Sequence, residues 1–202
     1  MRGLDGRLAA GILLLATACA SSPPTRFYAL EPIPPAHRTE GQIRPPVKIL
    51  AVHVPPLLDR EQIVREGSPG ELIVSDTNRW GAPLAEMTRD VLTQDLLLRL
   101  PEGSVILPQQ PAPPQTNTIT VDILHLQAQA DGAVLLEGGW SLIPPGTEAP
   151  SLARAIHISE PSGAADYARQ ARAMSLALGQ LADDIARMVS GHDGQAPAPG
   201  AP

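Results

Sequence analysis

A chain of 202 residues with one cysteine, one lysine and five aromatic side chains is poor in several things that proteins use for chemistry. A single cysteine excludes a disulfide framework within the chain and the cysteine clusters of structural zinc sites. With Lys48 as the only lysine and a net charge of −6, there is no basic footprint for nucleic acid and no cationic run to hold an anionic membrane surface. No apolar run approaches the ~20 residues that a membrane-spanning helix requires. There is no Gly-x-Ser-x-Gly elbow, no Gly-x-x-x-x-Gly-Lys phosphate loop and no internal repeat. Nothing in these patterns argues for an enzyme.

The one cysteine is itself the most informative residue. Cys19 ends the apolar run Leu8–Ala18, follows Ala16-Thr17-Ala18 and precedes Ala20-Ser21-Ser22-Pro23-Pro24. Arg2 and Arg7 supply a positive start, the apolar run has the ~7–15 residues of a signal core, and small residues precede the cut. The pattern resembles a lipobox, in which the cysteine is lipidated and becomes the first residue of the mature chain. Residues 1–18 therefore read as a lipoprotein signal peptide and 19–24 as a lipidated tether. Two or more acyl chains at about 0.8 kcal/mol per buried methylene make a stable anchor. Ala20 stands where an aspartate would favour inner-membrane retention, so the expected destination is the periplasmic face of the outer membrane.

The 23 prolines punctuate the rest of the chain. Thr25–Leu30 has strand character; Glu31–Pro46 reads as a loop or extended linker; Val47–Val54 reads as a buried strand ended by Pro55-Pro56. The turn formers Glu66–Gly70 join Ile63–Arg65 to Glu71–Val74 as a hairpin. A helix runs from near Pro83 to about Leu100, capped by Asp76 or Asn78, with Leu84, Met87, Val91 and Leu98 at helical spacing. Ser104–Leu107 reads as a short strand before the loop Pro108–Pro114. Thr118–Gln129 and Ala133–Ile143 form a hairpin through Asp131-Gly132, and Leu152–Ile158 adds a third strand. A last helix, about Ala164–Ser190, carries an apolar stripe from Tyr167 through Ala171, Met174, Leu178, Leu181 and Ile185 to Met188, which suits packing on a sheet. Residues 25–190 thus read as one domain, within the ~100–200 residues usual for one, and 191–202 as a disordered Pro/Gly/Ala tail.

His53, His125 and His157 each fall in a strand, with no spacing that demands metal ligation. Alternation places His125 with Ile123 and Val121 as a packed or rim histidine. Gly138-Gly139 before Trp140 reads as a strand irregularity or a close backbone approach.

Phe27-Tyr28-Ala29-Leu30, Ile49–Arg60 with Gln62-Ile63-Val64-Arg65, Arg79-Trp80-Gly81-Ala82-Pro83-Leu84, Trp140, and Met174-Ser175 with Ala177-Leu178 together resemble the ABC-type transport auxiliary lipoproteins, a PqiC-like family. The Leu-Asp-Arg-x-Gln-Ile-Val and Arg-Trp-x-x-Pro-Leu stretches are the specific part. Pro56, Leu57 and the proline loop 108–114 depart from the pattern. The resemblance implies an α/β single-domain sandwich with a mixed, largely antiparallel sheet and two main helices. It also implies a non-enzymatic, membrane-tethered periplasmic lipoprotein auxiliary to an MCE/ABC-type envelope lipid-transport system. Its partners would be a periplasmic MCE-domain protein and an inner-membrane permease; it would need no cofactor beyond the lipid on Cys19, and ring-like self-association would follow from its size. Leu58, Asp59, Arg60, Gln62, Arg79 and Trp80 are the expected interaction or fold-specifying residues. The structural alternatives are core packing for Trp80 and Trp140, and an ion pair of Arg60 or Arg79 with Asp59. Two other functions compete: contact regulation of a cell-wall synthase or another envelope enzyme, and a small-ligand or hydrolytic domain that no constellation supports.

Overall fold

Nine elements follow one another in the computed structural model, which describes residues 23–163 and 166–191. The segment 1–18, Cys19 and the tail from 192 onward lie outside the described residues. The order is β1 (Arg26–Tyr28), β2 (Val47–His53), β3 (Gln62–Glu66), β4 (Leu72–Trp80), α1 (Leu84–Arg99), β5 (Asn117–Ala128), β6 (Ala133–Ile143), β7 (Leu152–Pro161) and α2 (Tyr167–Val189). The strands form one seven-stranded mixed sheet in the order β1-β4-β3-β5-β6-β7, with β2 also paired to β5. The expected α/β architecture with a mixed sheet and two helices holds, and the sheet is open.

The long strand β5 organises the sheet. Its whole length pairs antiparallel with β6, through the Asp131-Gly132 turn in which Gly132 has φ 85° and Asp131 Oδ1 accepts the Ala133 N–H. On its other side β2 runs parallel from Val47↔Asn117 to His53↔Asp122, and β3 meets it only at Arg65↔Ala128. Two short strands therefore share one edge of a long one. Pro55-Pro56 ends the first, and the turn in which Pro55 O accepts from Leu58 N and Asp59 N leads to the second. The hairpin β3–β4 is longer than the turn residues alone suggest, and β1 lies parallel against β4, Tyr28 beside Trp80.

The helices pack against each other and on one sheet face. The stripe of α2 behaves as its spacing requires: Ala171, Met174, Leu178, Leu181 and Ile185 are buried, and Asp166 caps the helix through the N–H groups of Ala168 and Arg169. In α1 the buried face is Leu84, Thr88, Val91, Leu92, Thr93, Asp95, Leu96 and Arg99, whereas Leu98 is 40% exposed. The heptad spacing Leu84–Val91–Leu98 drifts by ~20° per repeat on a straight helix, which carries Leu98 off the core. Asp76 and Asn78 do not cap α1, because both lie within β4, where Asn78 accepts from the Tyr28 hydroxyl. Ser104–Leu107 is reduced to one parallel bridge, Val47↔Val105.

The proline-rich segment 31–46 is a strap across both helices. Glu31 N donates to Ser175 Oγ and Ile33 N to Asp95 Oδ1, Thr39 N bonds Arg99 O, and Ile33 packs where Gly179 leaves room for it. Among the described residues nothing packs over the opposite sheet face, where His53, Asp122, Leu124 and His157 are all exposed.

Candidate functional site

The two motif stretches, 58–62 and 79–80, meet through strand pairing. Gln62 is the register partner of Arg79, and Trp80 N donates to Glu61 O at 2.7 Å. Leu58 is buried at 4% exposure and Trp80 at 3%, so both belong to the core. The polar members order the loop between them. Arg60 Nε donates to Gln62 Oε1 at 3.1 Å, and Arg79 Nη1 donates to Glu61 Oε2 at 2.8 Å. Asp59 pairs with neither arginine; its Oδ1 accepts from Ala85 N at 3.1 Å and so serves the start of α1. The reason is local: Pro83 precedes the helix and offers no side-chain cap, and a carboxylate near a helix start meets free N–H groups and the positive end of the dipole.

Phe27 joins this cluster, although only its strand and not its side chain stood out in the sequence. It lies opposite Arg79 in the parallel register, so both side chains leave the sheet on the same face, while Tyr28 and Trp80 turn into the core. Phe27 is 68% exposed. The signal that could have marked it is its position, as the only phenylalanine, just after the spacer that follows Cys19. At the far end of β3 and β4, Leu57, Leu72 and Leu124 are exposed around a shallow apolar groove.

His125 takes another place than simple alternation predicts. The β5–β6 register shifts between Ile123 and His125, so Leu124 and His125 follow each other on the open face and Leu126 turns back into the core. Gly138 makes that bulge feasible: its φ is 153°, and a Cβ there would lie 2.0 Å from Asp122 O. His53 Nδ1 lies 2.7 Å from Asp122 Oδ1, and His157 Nδ1 lies 2.7 Å from Glu137 Oε1, all near solvent. Among the described residues no group of three or more His, Cys, Asp or Glu is arranged to hold a metal ion.

The one buried ionic network among the described residues was not anticipated. Arg99 is 2% exposed and Asp95 0%. Arg99 reaches Asp95 Oδ1 at 3.2 Å, Asp183 Oδ1 at 2.6 Å, and the carbonyls of Ile33 at 2.9 Å and Gly179 at 2.9 Å. Burial pushes the Asp95 carboxyl up to about 6, against the opposing pull of the Ile33 N–H and the Arg99 guanidinium. Its Oδ2 has no hydrogen-bond partner among the described residues. The network pins the strap to α1 and α2. Only the i, i+4 acid–arginine spacing inside an apolar stripe could have announced it.

The family model described as the ABC-type transport auxiliary lipoprotein component matches residues 28–186. The intermembrane transport lipoprotein PqiC of Escherichia coli is 30% identical over 91 residues, which is 45% of this chain and 48% of that protein. The Shigella flexneri PqiC matches to the same extent, so the alignment spans about half the length of these curated relatives. A crystal structure of a Xanthomonas campestris protein superposes with a TM-score of 0.67 at 17% identity, covering 85% of this chain and 100% of that one. A second, of an uncharacterized protein, gives 0.66 at 20% identity over 83% and 99% of the two chains. At these identities the superpositions establish the fold. Among the described residues no helix is long and apolar enough to cross a membrane.

Proposed function

The chain belongs to the ABC-type transport auxiliary lipoproteins, and from that membership we propose that it is tethered through a lipid on Cys19 to the periplasmic face of the outer membrane. There it acts as a non-enzymatic component of an MCE/ABC-type lipid-transport system. Residues 1–18 are removed as the signal, and no cofactor is required beyond the covalent lipid. The observation that carries this reading is the extent of the family match, from β1 into α2, which takes in both motif stretches. The name of the E. coli relative, an intermembrane transport lipoprotein, points the same way.

The division of labour is physical. A lipid crossing an aqueous space needs a shielded apolar route, because exposing its chains to water costs free energy in proportion to area. A periplasmic MCE-domain protein and an inner-membrane permease supply that route and its entrance, and a tethered sheet domain docks its outer end. A chain of this size is small for a conduit, so ring-like self-association completes the role. The cluster of Arg60, Gln62 and Arg79, ordered on a core that contains Leu58 and Trp80, is the partner surface that the motifs select.

The test is affinity purification of C-terminally tagged protein from gently solubilised envelopes, beside a Cys19→Ser form, with mass spectrometry of what co-purifies. Recovery of an MCE-domain protein with the lipidated form, reduced with Cys19→Ser, supports the reading. Recovery of a wall synthase in its place overturns it.

A further inference from the structure

We propose that the groove walled by Leu57, Leu72 and Leu124 is a docking site for a segment of a partner protein in which a large apolar side chain stands beside an arginine or lysine. The groove has the opposite charge to the arginine cluster described above, and the inference does not depend on a lipid at Cys19.

The groove is a consequence of strand pairing. One edge of β5 is covered first by β2, which ends at His53, and then by β3, which meets it only at Arg65↔Ala128. The seam between β3 and β5 is therefore held at a single register position, and beside it lies a groove of about 320 Å³. Leu57 enters it from the loop after β2, Leu72 from β4 and Leu124 from the bulged part of β5, and they are 47%, 39% and 64% exposed. None of the three belongs to the buried core. Large apolar side chains gathered at one depression with a polar rim form the kind of surface that a partner covers.

The polar lining indicates what the partner brings. Glu66 and Glu71 both line the groove, and its one basic lining residue is His125. Glu66 Oε1 accepts from Gln127 Nε2 at 3.2 Å and Glu71 Oε2 from the Ser68 N–H at 3.1 Å; among the described residues neither carboxylate meets an arginine or lysine. Gln127 lines the groove as well. It is 4% exposed, and its Oε1 has no hydrogen-bond partner among the described residues. A buried acceptor left open is destabilising until a donor meets it. Two carboxylates without a cation and an open amide oxygen, next to leucines, form a set of acceptors. They suit a guanidinium or ammonium group, which only donates, carried on the same segment as an apolar side chain.

The same groups disfavour other occupants. An acyl chain alone answers neither the carboxylates nor the amide, and the carboxylates repel the phosphate of a lipid headgroup. A second copy placed groove to groove sets Glu66 and Glu71 against their own counterparts, in a chain whose net charge is already −6.

The experiment is selection of phage-displayed random dodecapeptides on the full-length protein, followed by binding titrations of the enriched peptides. Leu72→Ser/Leu124→Ser removes two apolar walls, and Glu66→Gln/Glu71→Gln removes the charge; thermal unfolding checks that each variant is folded, and the single variants Leu124→Ser and Glu71→Gln, both at exposed positions, replace a double variant that is not. The expected result is enrichment of peptides in which a leucine, isoleucine, phenylalanine or tryptophan adjoins an arginine or lysine. Each double variant should bind them about tenfold more weakly than the parent, and binding to the parent should weaken as salt rises. Enriched peptides that lack a base, or that the leucine variant binds as well as the parent does, overturn the proposal, and so does a selection that enriches nothing. Saturable uptake of the fluorescent fatty acid cis-parinaric acid that the leucine variant loses, without peptide binding, assigns the groove to an acyl chain. Dimerisation that the leucine variant loses, again without peptide binding, assigns it to a second copy. Either outcome overturns the proposal.

Discussion

Asp59 Oδ1 accepts the backbone N–H of Ala85 at 3.1 Å across 26 residues, so α1 is capped from the loop that follows β2. One aspartate thereby ties the Leu58–Gln62 turn to the helix whose own entrance, Pro83, has no side-chain cap. Asp59→Ala should cost about 1 kcal/mol, the usual value of a lost helix cap. Asp59→Asn should cost clearly less, because the amide oxygen still accepts. Urea unfolding of the two variants beside the parent decides it, and equal losses would mean that the carboxylate works through charge alone.

At Gly138 the bulge in β5 leaves no room for a side chain, since a Cβ would stand 2.0 Å from Asp122 O. Gly138→Ala should therefore destabilise the fold by about 2–4 kcal/mol through backbone strain and overpacking. Gly139→Ala meets only Arg154 O at 3.2 Å and should cost less than about 1 kcal/mol, within the range of a mild surface change. Thermal unfolding of both variants separates the cases.

Much of the fold was legible because local chemistry and tertiary packing agree. The Asp131-Gly132 turn between alternating runs specifies the β5–β6 hairpin, and the stripe from Ala171 to Ile185 specifies the buried face of α2. What escaped was set by distant partners. Strict alternation put His125 with Ile123, but the bulge at Leu124 reverses the phase, and its cause lies on another strand, at Gly138. Asp95 and Arg99 look like surface charges in α1 until the strap covers them. Of the site, the sequence marked Leu58, Asp59, Arg60, Gln62, Arg79 and Trp80, but not that Glu61 takes Arg79 or that Phe27 stands beside it; both facts depend on parallel and antiparallel pairing across β1, β4 and β3.

Asp95 makes stability depend on pH in an unusual direction. Its carboxyl is raised from 3.8 to about 6 in the folded chain, so folding favours the protonated form. That contribution is fully present below pH 4 and is lost as pH rises through 6, by up to about 3 kcal/mol. Asp95→Asn keeps an acceptor for the Ile33 N–H but cannot ionise. The stability of the parent minus that of Asp95→Asn should therefore fall between pH 4 and pH 7. Contributions from groups remote from Asp95 cancel in that difference. A difference that stays flat with pH would show that Arg99 and the Ile33 N–H offset the burial completely.

Arg79 and Trp80 adjoin in sequence yet answer different questions. Trp80, 3% exposed, should cost about 3–5 kcal/mol when replaced by alanine, as buried aromatics do, so any loss of function there reports unfolding. Arg79 pairs with the mostly exposed Glu61, and a surface pair contributes about 0–1 kcal/mol. The double variant Arg60→Ala/Arg79→Ala should accordingly melt within a few degrees of the parent. If these arginines form the partner surface, it should still lose most of the MCE-domain protein that co-purifies from envelopes. Full recovery of that partner by a stably folded double variant would reduce both arginines to ordering the Leu58–Gln62 loop, and would move the search for the docking face to the exposed leucines around Leu57, Leu72 and Leu124.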